Sequence, residues 1–522
     1  VENAVSIPVR HGVLPVTTRR ELPLAANGGA LTVDKELLAD SLLSDAAVTV
    51  SVLRTGAFDI PAMLMTLDRY PYGCAEQTTS RALPLLYVSE LSKASGMPDD
   101  PQIKDRINEA ITRVLSYQSS SGSFGLWGPG SGDLWLDAYV TDFLTRAREQ
   151  QFDVPEEAML IALDNLQNAL SHDVDVASQG NEIAYALYVL ARNKRASATD
   201  LRYYSESQLD RFASPMARAH LGASLSLYGD QAKADAVFDS AFGLAKAGST
   251  LNLSRGDYGS ALRDDAAMLA LAAETRPVPA SVPAMVEHVS ALRKKASYTS
   301  TQEDAWMLMA ARAIKEGVNA INLTVNGQAH TGVYSKSVTG EELEANALNI
   351  VNTGADAAVA VVTSVAAPAQ PLPAGSNGFK ISRAYYTLDG TETTVTEAKQ
   401  NDRFVVVLSV TEQNNWPSRL IVTDLLPAGL EADNPRLVSS AELGNFAWLG
   451  QTQVAHTEFR TDRFVAALDP AGSSGRTFNL AYVVRAVTPG TYILPAASVE
   501  DMYRPGYSAR TATGRMSVVE AE

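Results

Sequence analysis

The apolar residues of this 522-residue chain change period twice, and that limits the fold more than any other feature. Residues 1–55 read as extended. Ala47–Leu53 alternates, so Val48, Val50 and Val52 share one sheet face, and Pro8, Pro15, Pro23 and Gly28-Gly29 punctuate what precedes them. From 56 to 317 the period becomes helical. Stripes such as Ile103, Ile107, Ile111 and Val114, then Trp135, Tyr139 and Phe143, then Ile183, Leu187 and Leu190, predict about a dozen helices joined by short turns. Such a run builds either an open solenoid or a closed α/α toroid of helical hairpins. No fixed-length repeat runs through it, which favours the toroid.

Beyond residue 317 the strands return. Ile321–Val325 precedes an Asn326-Gly327 turn signal, and Ala347–Val351 and Ala357–Val365 follow. A Pro/Ala/Gly linker, Ala366–Gly378, marks a boundary. The rest reads as a β-sandwich, with strands at Arg403–Val410, Leu420–Asp424, Phe464–Leu468, Phe478–Val487 and Tyr492–Val499, and turns such as Asn434-Pro435 and Pro489-Gly490. The fold class is therefore multidomain α + β. A helical domain (56–317) is inserted into a β domain built from both flanks (1–55 and 318–370), and a second β domain (371–522) follows.

Composition narrows the function. The net charge is −16 without basic clusters, which argues against nucleic acid and anionic lipid surfaces as partners. No apolar run reaches the ~20 residues of a membrane span. One cysteine, Cys74, excludes an intrachain disulfide and a Cys-rich zinc site. The six histidines are scattered, with no H-x-x-x-H pair, so neither metal nor cofactor is expected. The chain begins at Val1 without Met or a signal-like segment, and reads as a processed chain or a fragment.

The chemistry concentrates at Cys74. Pro71 and Gly73 make a turn, and a helix runs on through Leu83, Leu86 and Leu91, with a kink expected at Pro84. A cysteine in a helix's first turn feels the positive end of the dipole, which favours thiolate. Cys74 and Gln77 stand at i and i+3, with Cβ atoms roughly 5–6 Å apart. A thiolate there can attack the side-chain amide, expel ammonia and leave an internal thioester. From spacing alone, a buried core cysteine is the reading to prefer, and a cysteine hydrolase with a distant partner is a lesser alternative.

The surrounding residues separate these readings. Gly73-Cys74-Ala75-Glu76-Gln77 resembles the thioester motif of the α2-macroglobulin and complement family. The longer run from Leu67 to Leu86 resembles its bacterial branch. Gly122-Ser123-Phe124-Gly125-Leu126-Trp127, Asp133–Val140, Tyr258-Gly259-Ser260, Arg263-Asp264 and Ser300-Thr301-Gln302-Glu303 resemble other segments of the same family. The resemblance implies an α/α-toroid thioester domain inserted in a CUB-like β domain, then a macroglobulin-type β-sandwich.

It also implies a single-use protease trap and not an enzyme. After a protease cleaves a bait segment, Cys74 and Gln77 would supply the thioester, which acylates a lysine amine of that protease. Glu76 belongs to the motif with no defined role: proton transfer during closure, or fixing the turn. Implied partners are target proteases and the upstream macroglobulin domains with their bait region. The expected chain is a periplasmic monomer, its full-length form lipid-anchored through an absent N-terminus.

A thioester must be kept from water. Tyr70 and Tyr72 precede the motif. The run Glu500–Tyr507 reads as a loop exposing large apolar groups, Met502 and Tyr503 among them. The bacterial relatives imply shielding by Tyr70 and Met502; the alternative for Met502 and Tyr503 is packing within their own domain. No histidine aligns with the one that directs complement thioesters to hydroxyls, His172 being nearest, which points to amines. Two other readings compete: a thioester adhesin or scaffold, and an α/α-toroid enzyme using Asp133, Asp137 and Asp142. Of these, Asp137 and Asp142 read as solvated helix positions. Arg255-Gly256-Asp257, the acceptor-like Asn252-Leu253-Ser254 and Asn322-Leu323-Thr324, and the Lys-less Gly128–Gly132 loop are set aside.

Overall fold

The computed structural model describes residues 15–54, 56–69, 73–95, 100–130, 132–171, 175–248, 256–296, 298–312, 321–433, 446, 449 and 452–521. Two units divide it: Thr17–Leu37 with Ala47–Val365, and Leu38–Ala46 with the residues from Ala366 onward.

The helical part of the first unit runs α1 (Ile60–Arg69), α2 (Ala75–Leu85), α3 (Val88–Ser95), α4 (Ile103–Leu115), α5 (Leu134–Glu149), α6 (Glu156–Leu170) and α7 (Val176–Arg192). It continues with α8 (Ala198–Ser207), α9 (Pro215–Leu227), α10 (Gln231–Ala247), α11 (Ala261–Glu274), α12 (Val282–Lys295) and α13 (Thr301–Ala311). Contacts between neighbours close a ring. α2 packs on α5, α5 on α7, α7 on α9, α9 on α11, α11 on α13, and α13 returns to α2. Outer helices back this ring: α4 on α2, α6 across α5 and α7, α8 and α10 on α9, α12 on α11 and α1 on α13. The fold is an α/α toroid and not a solenoid.

Sequence explains which helices lie inside. Every residue of α5 from Trp135 to Ala147 is buried, and so is every residue of α11 from Leu262 to Ala272. Their buried charges, among them Asp142 with Arg146 and Arg263 with Asp264, are paired inside, whereas α4 buries only the stripe Ile107, Ala110, Ile111 and Val114.

The inner helices run in parallel, as side-chain contacts at both rims show. At the C-terminal rim, Glu274 ends α11 and accepts from Arg146 of α5 (2.7 Å), Arg312 after α13 (2.7 Å) and Arg192 at the end of α7 (3.4 Å). Arginines in last turns also complement the helix dipoles. At the N-terminal rim, Ser260 capping α11 donates to Glu303 in the first turn of α13 (2.5 Å). Tyr258 donates to Asp133 capping α5 (2.9 Å).

Strands from both sides of the helical run share sheets. One sheet has the order β1 (Val16–Leu24), β8 (Ala358–Ala366), β3 (Ala47–Leu53), β6 (Tyr334–Thr339). The other has β2 (Gly29–Val33), β7 (Leu348–Asn352), β4 (Asn322–Val325), β5 (Gln328–Thr331). Asn326 and Gly327 turn the β4–β5 hairpin at φ 47° and 82°, the left-handed conformation such a turn requires. β3 is buried on both faces. Besides the valines, Ser51 donates to Asp59 (2.7 Å) and Thr49 contacts the sulfur of Met65 in α1 (3.4 Å). A short helix, α14 (Gly340–Ala345), joins β6 to β7.

In the second unit, Leu42 N–H donates to Ala367 O and Ala369 N–H to Asp40 O, tying 38–46 to the residues after 365. Two sheets face each other. The first is ordered β11 (Glu392–Thr393), β10 (Phe379–Tyr386), β13 (Arg403–Glu412), β18 (Thr477–Ala486), β15 (Leu430–Ala432). The second is β16 (His456–Arg460), β17 (Arg463–Leu468), β14 (Leu420–Leu425), β20 (Ala497–Asp501), β21 (Ser508–Arg510), β9 (Gly375–Asn377). Val406, Leu408, Val422, Phe464, Leu480 and Val499 fill the space between them.

A three-stranded sheet, β12 (Glu397–Lys399), β22 (Gly514–Val519), β19 (Gly490–Leu494), pairs β12 with β22 in parallel. The single strand expected over Tyr492–Val499 is two, β19 and β20, in different sheets. Pro495 between them has no N–H for a ladder, and its carbonyl accepts from Arg383 (2.8 Å). The expected Asn434-Pro435 turn lies outside the described residues.

Candidate functional site

Cys74 caps α2. Its backbone is extended (φ −66°, ψ 168°), and its sulfur accepts the N–H of Gln77 at 3.5 Å. Cys74, Glu76 and Gln77 are fully buried. Sulfur is a weak acceptor, and serine, threonine, asparagine or aspartate caps far better. The Gln77 amide is stranger: neither its oxygen nor its nitrogen has a hydrogen-bond partner among the described residues. Leaving such a buried group unsatisfied costs about 1–3 kcal/mol.

The turn before the cap is held from several sides. The Gly73 carbonyl accepts from Tyr117 OH (2.8 Å), Arg113 Nε (3.0 Å) and Thr78 Oγ1 (3.4 Å). A Cβ on Gly73 would stand 2.5 Å from the end of the Arg113 side chain, which would have to move aside. Ala75 N–H donates to Leu126 O at 2.8 Å. The Gly122–Trp127 segment that supplies Leu126 is itself anchored to Asp137, which accepts from Phe124 N–H (2.7 Å) and Ser123 Oγ (3.0 Å).

Glu76 points into the ring. Its carboxylate accepts from Ser80 Oγ (2.5 Å), Gln302 Nε2 (2.6 Å) and Thr301 Oγ1 (3.2 Å to each oxygen). Gln302 Nε2 also reaches Ser80 Oγ (3.0 Å). Ser80 has one proton and gives it to Glu76, so Tyr139 OH of α5, 2.9 Å away, donates to Ser80. Burial, reinforced by the Glu76 charge, pushes the Tyr139 phenol up, so it stays a donor.

Of the other residues singled out by sequence, Tyr70, Tyr72 and His172 lie outside the described residues. Met502 is buried, and its N–H donates to Arg419 O (2.9 Å); the expectation that its loop exposes large apolar groups fails there, while Tyr503 is half-buried. Asp137 and Asp142 are buried and not solvated. Asp137 also accepts from Asn165 (2.8 Å), and Asp142 accepts from Arg146 (2.9 Å) and Tyr185 OH (3.0 Å). Asp133 accepts the Leu136 N–H (2.8 Å) and Tyr258 OH. All three are committed to structure, so the toroid-enzyme reading loses its carboxylates. Pro84 falls in the last turn of α2, which stops at Leu85; Leu86 and Tyr87 form a turn and α3 follows, so the one helix expected through Leu91 is two.

Sequence reasoning did not find Ser80, Tyr139, Thr301 and Gln302 as partners of Glu76. Ser80 stands one helical turn from Glu76, a spacing that could have revealed it, but nothing in the linear order couples Glu76 to Tyr139 or to Thr301 and Gln302, 225 and 226 positions away. Among the described residues, no cluster of three His, Cys, Asp or Glu is placed to hold a metal, and no helix is long and apolar enough to cross a membrane.

Comparison with known proteins bears on the whole chain. Residues 46–179 match the family model described as the A-macroglobulin TED domain, and residues 378–506 the bacterial α2-macroglobulin MG10 domain. α2-Macroglobulin of Escherichia coli K12 is 33% identical over 516 residues, covering 92% of this chain and 30% of that protein. That of Xylella fastidiosa Temecula1 is 32% identical over 563 residues, covering 100% and 34%. The chain thus spans about a third of the length of these relatives.

Among solved structures, native E. coli α2-macroglobulin from domain MG7 to the C-terminus matches with a TM-score of 0.85 at 28% identity, covering 98% of this chain and 83% of that one. Salmonella α2-macroglobulin reacted with methylamine matches with a TM-score of 0.85 at 30% identity, covering 97% and 34%.

Proposed function

We propose, for a chain that belongs to the bacterial α2-macroglobulin family and corresponds to its C-terminal part, that Cys74 and Gln77 form an internal thioester which captures attacking proteases covalently. In closure, the Cys74 sulfur attacks Gln77 Cδ, the C–N bond breaks, and ammonia leaves with the thiol proton. In capture, an amine nitrogen attacks the same carbon, the C–S bond breaks, and the amine's proton passes to the released thiol. The result is one amide per molecule, without turnover.

The observation that carries this reading is the buried Gln77 amide with no hydrogen-bond partner among the described residues, three residues from a buried cysteine whose sulfur caps the same turn. Closure removes the amide nitrogen, and with it an unsatisfied donor. The positive end of α2 favours both the attacking thiolate and the oxyanion that forms on Cδ. The Salmonella relative reacted with methylamine supports an amine as the nucleophile.

The remaining assignments rest on the family resemblance. The flanks 1–55 and 318–370 are a CUB-like domain around a thioester domain at 56–317, with a macroglobulin-like domain at 371–522. Bait and further macroglobulin domains lie upstream, the site is periplasmic, and Tyr70, Tyr72, Met502 and Tyr503 shield the acyl carbon. Methylamine tests the chemistry: one thiol appears per molecule and Gln77 gains one methylamide. Met502→Ala tests the shielding, with faster thiol release in fixed methylamine expected and an unchanged rate against it.

A further inference from the structure

We propose that Glu76 is a positioning residue that sets the thioester turn by stitching the seam of the helical ring. This rests on the thioester reading above and assigns the motif's undefined carboxylate. Helix α2 is the first inner helix in the chain and α13 the last, so the ring closes where they meet. Glu76 lies at that meeting point. It accepts from Thr301 and Gln302 in the first turn of α13 and from Ser80 one turn along its own helix, and Ser80 is tied to Tyr139 of α5. One fully buried carboxylate therefore connects α2 to both of its neighbours in the ring.

The geometry separates positioning from proton transfer. Cys74 and Glu76 are two apart in a helical turn, so their side chains do not face each other. The carboxylate oxygens accept from Ser80, Thr301 and Gln302. Gln77 is the next residue round the turn. Drawing Glu76 toward α13 fixes the rotation of the first turn of α2, and that rotation decides whether Gln77 Cδ stands against the sulfur. The Gly73 carbonyl, held by Arg113 and Tyr117, fixes the turn from the other end. Closure needs the two reacting atoms in contact before the chemistry starts, so a loosened seam slows closure on the order of tenfold to 100-fold.

The test uses the whole chain with Glu76→Gln, Gln302→Leu, the exchanged pair Glu76→Gln/Gln302→Glu, and Glu274→Gln at the opposite rim. Intact mass gives the fraction lacking one ammonia, thiol release in methylamine gives the reactive fraction, and Tm gives stability. We expect both single seam variants to close slowly and incompletely. The exchanged pair, which again sets an acceptor against a donor across the seam, should recover closure. Glu274→Gln should lower Tm without lowering the closed fraction. Closure at the wild-type level in Glu76→Gln and Gln302→Leu overturns the proposal, as does a loss that tracks Tm equally in all variants. A wild-type chain with its full mass and no amine-released thiol overturns the thioester reading itself, a distinct result.

Discussion

Replacing Cys74 with alanine removes a buried sulfur and a weak helix cap, and little else. The fold should survive at a cost of about 0.5–2 kcal/mol, measured by denaturant unfolding, while covalent capture vanishes. Wholesale unfolding would make Cys74 a structural residue. Gly73→Ala acts differently. Its Cβ would meet the Arg113 guanidinium at 2.5 Å and push it from the Gly73 carbonyl, so closure should slow while Cys74 remains. An unchanged closed fraction by intact mass would show that this carbonyl need not be held. At this scale the sequence was informative where chemistry is local. Cys74 and Gln77 are near in the chain, and helical spacing alone brings them together. Asp137 and Asp142 differ from the expectation because Phe124, Asn165 and Tyr185 reach them from a loop and neighbouring helices that no periodicity identifies; Arg146, one turn along α5 from Asp142, is the partner that helical spacing does offer.

At the scale of helices and strands, the ring is locked at its C-terminal rim by Glu274, on which Arg146, Arg192 and Arg312 converge. Arg146 is almost wholly buried and shares its charge between Glu274 and Asp142, so deleting Glu274 removes one of its two carboxylates among the described residues. Glu274→Ala should destabilise the toroid by about 3 kcal/mol, seen as a lower Tm and unfolding midpoint. A change within about 0.5 kcal/mol would mean that Asp142 alone compensates Arg146. The long stripes of α4, α5, α6, α7, α9, α10, α11 and α12 were legible because each carries a sustained period. Short α3 and α8 carry too few turns for a period to emerge. The strand expected over Tyr492–Val499 was divided by Pro495, whose ring removes a ladder donor and lets the chain pass from one sheet to another. In the pattern of residues, ring closure rested on the absence of a fixed repeat, with the family resemblance beside it; the contact between α13 and α2 decides it.

For the molecule as a whole, buried carboxyls give stability a two-sided dependence on pH. Burial pushes Asp304 up to about 7, and Asp59 and Asp137 up to about 6. A carboxyl that binds its proton more tightly folded than unfolded adds stability as pH falls through those values, completely below its ordinary 3.8. Glu274 has the opposite sign. Burial alone would raise it, but Arg146, Arg192 and Arg312 outweigh that and hold it at about 2, so its contribution is lost as pH falls below its ordinary 4.5. Tm should therefore rise as pH is lowered from about 8 to about 5 and fall below about 4, and Asp304→Asn should flatten the upper limb. A Tm that climbs steadily from pH 5 to 8 would contradict these assignments.

The central claim, that Cys74 and Gln77 are joined, is tested most directly by the intact mass of the native chain read beside thiol labelling. The native chain should be short of one ammonia, with Cys74 silent to thiol reagents until methylamine adds its own mass and releases one thiol. A native chain at full mass, with the Gln77 amide intact by peptide mapping and Cys74 labelled at once, would contradict it.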